Sequence, residues 1–195
     1  MNLELTGVRA IVSGADSGMS VAIAQALAAE GAIVGDGIES NADTCSVAVA
    51  VLPTLPMLSF STLEDPQPLL DGWCQVEKVV TFFRAVLPGM EAARHGRLIL
   101  VGPIEAKTMS HREVALERTV GLGLLGMLKA LSGEVGPSAI TCNAVLIDLD
   151  PADPAHREAV VASAAATVCY LASPHAAFLT GLVVGVDAAR SGSIF

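Results

Sequence analysis

The sequence predicts a single α/β domain built on a parallel sheet with helices on both faces. Three observations predict it. A short apolar run, Val8 to Val12, passes through a glycine-rich turn into a helix from Val21 to Glu30 that stops at Gly31. Further short apolar runs lie at Val47–Val51, within His95–Gly102 and at Ile140–Val145. Between and after them lie two long stretches with helical apolar periodicity, Gln75 to Arg94 and His111 to Val135. Strands alternating with helices are the pattern of a parallel sheet.

The chain of 195 residues suits one domain with a sizeable core. Its hydrophobic fraction is 52% and its mean hydropathy +0.60, high for a soluble monomer. No apolar run reaches the ~18 residues of a membrane span, and residues 1–10 lack the basic start and apolar stretch of a signal peptide. The net charge of −9 carries no basic stripe, which argues against a nucleic-acid partner. Cys45, Cys74, Cys142 and Cys169 have neither CxxC nor metal-ligand spacing and read as free thiols in a reducing cytoplasm.

The turn Val12-Ser13-Gly14-Ala15-Asp16-Ser17-Gly18-Met19-Ser20 resembles a TGxxxGxG motif. In such a turn glycines allow close backbone approach to a pyrophosphate at a helix N-terminus. The blocks His95–Gly102, Gly126–Leu131, Glu134–Pro137, Ile140–Val145, Cys169–Ser173, Phe178–Gly181 and Val183–Asp187 follow in a fixed order. Together these blocks and the turn resemble the short-chain dehydrogenase/reductase family. The resemblance implies a truncated Rossmann-like, doubly wound parallel sheet. It also implies hydride transfer between a nicotinamide cofactor and an alcohol or carbonyl, by a Ser, a Tyr and a Lys in a YxxxK helix.

The chemistry that the resemblance implies does not map onto these residues. Counting back from Gly126 places the family tyrosine at Glu117 and its lysine at Gly121. The single tyrosine, Tyr170, falls in the last helix and reads as packing. Gly102-Pro103 stands where the family serine belongs, and proline has no donor. Ser110-His111-Arg112-Glu113 has the spacing of a capping box, so Ser110 suits a helix cap better than catalysis. His111 and Lys107 are the remaining acid/base candidates.

The cofactor site also departs from the family pattern. In the turn, Gly14 and Gly18 are kept and the third glycine is Ser20. The ribose-binding acid position falls on Ile38, flanked by Asp36 and Glu39. Leu52-Pro53 replaces the family's NNAG, and Ile147-Asp148 replaces the Pro-Gly beside the nicotinamide. Only a short stretch from Ser40 separates the second strand from Val47–Val51. This implies the loss of a helix–strand–helix segment of roughly forty residues, and with it the adenine wall. The substrate loop is short too, since Leu149–Pro154 leads almost directly into the helix from Ala155.

The helices that family members use for pairing remain. In the first, Val76, Val79, Phe83, Val86 and Met90 form a stripe, with Phe82, Ala85 and Leu87 off it. In the second, Leu116, Val120, Gly123, Met127 and Leu131 form a stripe, with Leu122, Leu125 and Leu128 additional. Apolar surface beyond one stripe points to a partner, with Phe82, Phe83, Leu122, Leu125 and Leu128 as interface candidates. Pro53 to Pro68 reads as an irregular connection.

The expectation is a non-catalytic, cytoplasmic subunit that binds no cofactor or metal itself. It would assemble with an active short-chain dehydrogenase that carries NAD(P), or with itself as a dimer or tetramer. An enzyme with altered catalytic residues and a ligand-sensing regulator are the alternatives.

Overall fold

The computed structural model describes residues 2–14, 18–35, 42–56, 58–107, 115–149 and 153–188. Six strands, β1 (Arg9–Ser13), β2 (Ile33–Gly35), β3 (Val47–Val51), β4 (Gly96–Pro103), β5 (Ile140–Ile147) and β6 (Val183–Val186), form one sheet in the order β2-β1-β3-β4-β5-β6. Every pairing is parallel. Helices α1 (Gly18–Ala29) and α4 (Pro154–Ala172) cover one face. Helices α2 (Gln67–Ala93) and α3 (Ala115–Val135) cover the other. Sheets covered on both faces have strands that are apolar throughout, and β3 and β5 are buried at every position. The two cores meet through β4, where Leu98 and Leu100 face α2 and α3 while Ile99 and Val101 face α1 and α4.

The fold agrees with the expected Rossmann-like α/β class. The order reverses between β1 and β3, because the chain leaves β1 to one side and returns on the other. Ligands of open α/β sheets bind at such a switch point, beyond the carboxyl ends of the strands. β2 is the sheet edge among the described residues, and the link from Gly35 to Val47 is too short for a further helix–strand–helix.

Local signals fix most helix ends. Asp153 caps α4 by accepting a 3.0 Å bond from the His156 backbone N–H, and Pro154 occupies the first turn, where its missing donor costs nothing. Arg94 takes a left-handed conformation at φ 50° and ends α2; the His95 N–H then reaches Met90 O at 3.1 Å. α2 begins at Gln67, earlier than its periodicity from Gln75 suggested. The prolines of the connection do not oppose this, because Pro66 precedes the helix and Pro68 lies in its first turn.

The interface expectation needs correction. Phe82 and Phe83 are 3% and 1% exposed, and Leu125 and Leu128 are 7% and 0% exposed, so all four lie in the chain's own core. On α3 the face toward the sheet runs through Leu116, Val120, Leu124 and Leu128, flanked by Glu117, Gly121 and Leu125. Gly123, Met127 and Leu131, placed in the buried stripe by periodicity alone, are only half-buried. Of the five candidates Leu122 is exposed. Leu70 and Trp73, one turn apart on α2, are exposed with it, and a Cβ on Gly123 would meet the Trp73 ring at 3.1 Å.

Candidate active site and cofactor cleft

The turn after β1 is built against the end of β3. Gly14 has φ +149°, and a Cβ there would lie 2.6 Å from Val51 O and 2.8 Å from Val51 Cβ. Only glycine fits so close an approach. Gly18 opens α1, and Ser20 is buried under it. Beyond these strand ends lies a cleft of about 500 Å³, lined by Ser13, Gly14, Val51, Leu52, Pro53, Gln75, Lys78 and Phe82 among others. It adjoins a second opening past Cys74, Glu77 and Thr81. The cleft therefore sits at the switch point. Among the described residues no segment corresponding to the expected adenine wall lines it, and α2 contributes Gln75, Lys78, Val79 and Phe82. Asp36, Ile38 and Glu39 lie outside the described residues.

The second half of the site is the region under Glu117, in the first turn of α3. The carboxyl is 6% exposed, and its Oε2 has no hydrogen-bond partner. Burial pushes its pKa above the ordinary value and the neighbouring Glu105 charge adds to this, while its own backbone N–H partly opposes the rise. The result favours the neutral acid. One turn further along the helix, a Cβ on Gly121 would stand 2.5 Å from Ala106 Cβ and 3.3 Å from Ala106 Cα. Ala106 belongs to a 3₁₀ turn, Ile104–Ala106, that follows Pro103 and lies against α3. Arg118 Nε donates to Glu105 O at 3.3 Å and holds that turn in place. The space that a side chain at position 121 would need is occupied.

The other expected residues are not drawn together. Lys107 Nζ donates to Val183 O at 3.4 Å. Ser110 and His111 lie outside the described residues. Tyr170 is half-buried against the core between the sheet and α4, in agreement with a packing role. Gly102 is buried beneath Leu52 and offers no donor side chain.

Two features were not read from the sequence. One is the filling by Ala106 of the space beside Gly121. The other is the pair His156 and Asp148, with Nε2 3.4 Å from Oδ2. Among the described residues no group of three or more His, Cys, Asp or Glu could hold a metal ion.

A parallel sheet with its cleft at a β1/β3 switch point and a glycine-rich turn at the cleft floor defines a Rossmann-like domain. No protein-family model matches the chain. It is 31% identical to the 3-oxoacyl-(acyl-carrier-protein) reductase FabG of Pseudomonas aeruginosa, over 242 residues covering 95% of this chain and 98% of that protein. It is 27% identical to nodulation protein G of a Rhizobium species, covering 94% and 97%. Among solved structures, a dehalogenation enzyme matches with a TM-score of 0.77 at 16% identity over 95% of this chain and 99% of that one. The chain belongs to the short-chain dehydrogenase/reductase family. The match over 242 residues exceeds the 195 of this chain, so the relatives carry segments that have no counterpart here. Among the described residues no helix is long and apolar enough to cross a membrane.

Proposed function

We propose that this chain is a non-catalytic member of its family, a subunit that assembles with an active short-chain dehydrogenase/reductase and supports its structure or substrate site. The observation that carries this reading is the occupation of the family's lysine position: Ala106 stands where a side chain on Gly121 would have to go. Among the described residues no cation neighbours Glu117 at the tyrosine position to tune it, and its burial favours the neutral acid. The absence of a counterpart to the adenine wall supports placing NAD(P) in the partner rather than here. Localisation follows the partner, in the cytoplasm.

The surface offered to such a partner is the outer side of α2 and α3, around Leu70, Trp73 and Leu122. Between the same helices runs a small groove lined by Phe83, Leu87, Met127 and Leu131, with Arg84 on the α2 side and Glu134 on the α3 side. Opposite charges on the two walls suit pairing with a related pair of helices, since each meets its complement in a two-fold arrangement.

The test is co-purification of the tagged chain from its native host, followed by assay of both components. The expected result is an active reductase of the same family in stoichiometric amount, with the isolated chain inert. A monomer that recovers no such partner would overturn the reading. An enzyme with altered chemistry is favoured by one observation, the unpartnered and buried Glu117 Oε2, which could serve as an acid. Turnover by the isolated chain that is lost in Glu117→Gln would establish that alternative instead.

A further inference from the structure

At the opposite end of the strands from the cleft, β4 begins with a buried cation. Arg97 is 3% exposed and lies on the face covered by α1 and α4, alternating with Leu98 on the other face. Its Nη1 donates to Gly96 O at 2.9 Å, while its Nε is buried and has no acceptor. No carboxylate among the described residues pairs with it; the ion pairs found there are both histidine pairs elsewhere. In the parallel register Arg97 stands beside Thr141 on β5, which is 5% exposed and whose Oγ1 also has no partner. On its other side the register places Val47, fully buried, and Ile99 follows two residues along the same face.

A buried guanidinium remains charged, and an uncompensated buried charge is strongly destabilising. Among the described residues no acidic group receives the Arg97 Nε–H or the Thr141 hydroxyl, and a ligand from outside the chain would do so. A water molecule would satisfy the hydrogen bonds and leave the charge. A small anion satisfies both. The register sets the apolar Val47 and Ile99 beside Arg97 on this face, a setting that suits a halide better than a phosphate ester. We propose that Arg97 Nε and the Thr141 hydroxyl form a structural binding site for a small monovalent inorganic anion, with chloride as the natural occupant. Burial, and then the charge of Arg97, hold the pKa of nearby His95 below its ordinary 6.5. The proposal does not depend on whether the chain is catalytic.

The test compares thermal unfolding in sodium chloride and in sodium gluconate at equal ionic strength. The wild-type midpoint should rise with chloride and not with gluconate, as for any ligand bound only by the native state. Thr141→Val should weaken the apparent chloride affinity roughly tenfold, the equivalent of one lost hydrogen bond to a charged system. Arg97→Met should abolish the response. If Arg97→Met does not fold, Thr141→Val still decides the matter, together with bromide-soaked crystals of the wild type. An anomalous peak beside Arg97 Nε supports the site. Equal midpoints in the two salts, or a water at that position in bromide, overturn it.

Discussion

Ala106 and Gly121 share one space: the Cβ that Gly121 lacks would lie 2.5 Å from the Cβ that Ala106 has. The two residues come from different elements, and their contact joins the turn after β4 to the second turn of α3. A side chain at 121 must displace that turn, and Arg118, three residues earlier on α3, holds it. Gly121→Ala should therefore destabilise the fold by about 1–3 kcal/mol, as overpacking does, despite the ~1 kcal/mol that alanine gains in a helix interior. Denaturant unfolding measures this. The double variant Glu117→Tyr with Gly121→Lys should show no NAD(P)H-dependent turnover. A stable Gly121→Ala and an active double variant would together show that the turn yields easily.

Glu117 should make stability depend on pH in an unusual direction. Burial raises its folded pKa above the ordinary 4.5, so the native state holds the proton more tightly than the unfolded chain does. Its contribution is fully present below 4.5 and is lost as pH rises through the raised folded value. Glu117→Gln keeps the neutral shape and removes that loss. The variant should match wild type in acid and exceed it increasingly above pH 4.5. Unfolding free energies measured across the range decide it; a constant difference between the two proteins would contradict the assignment.

The order of the strands was legible because the blocks that resemble the family's strands follow in its order, and Val8–Val12 and Val47–Val51 stand out as short apolar runs. Val47–Val51 was read with its observed ends for that reason. The phase of α3 was not legible. Leucines stand on nearly every side of it, so periodicity alone could not separate the stripe through Leu124 and Leu128 from the one through Gly123 and Met127. The start of α2 was hidden by prolines that reside before the helix or in its first turn. The site was legible only as substitutions, at Glu117 and Gly121. That Ala106 occupies the space beside Gly121 is a tertiary fact, set by a contact between two separate elements.

Cofactor binding should be weak. The cleft at Gly14 and Val51 remains, but α2 forms its outer side and Leu52-Pro53 follows β3. Calorimetric titration of the isolated chain with NADH or NADPH should give no dissociation constant below ~100 μM, roughly −5.5 kcal/mol. Tighter binding would mean that Lys78 and Gln75 replace the contacts of the family's missing wall.

The four cysteines should separate by reactivity. Cys74 is exposed, whereas Cys45, Cys142 and Cys169 are buried. Desolvation pushes the Cys142 thiol up to about 12 and those of Cys45 and Cys169 to about 11, so thiolate is scarce at neutral pH. One equivalent of a maleimide should add to the native protein, and Cys74→Ser should abolish it. Four should add after denaturation. Labelling of a second thiol in the native state would show that one of the helix layers opens readily.

Assembly can be tested on one helix with two leucines. Leu122 is 40% exposed and Leu125, one turn on, is 7% exposed. If the outer face of α2 and α3 meets a partner, Leu122→Glu places a charge in the interface without disturbing the monomer core. It should release the partner, or convert an oligomer to a folded monomer, with little change in intrinsic stability. Leu125→Glu instead buries an unpaired carboxylate in the chain's own core, at a cost of several kcal/mol, and should unfold the protein whatever its oligomeric state. Light scattering with circular dichroism distinguishes the two. A Leu122→Glu chain that keeps its wild-type assembly would remove this face as the interface, whereas a folded Leu125→Glu chain would contradict the phase of α3.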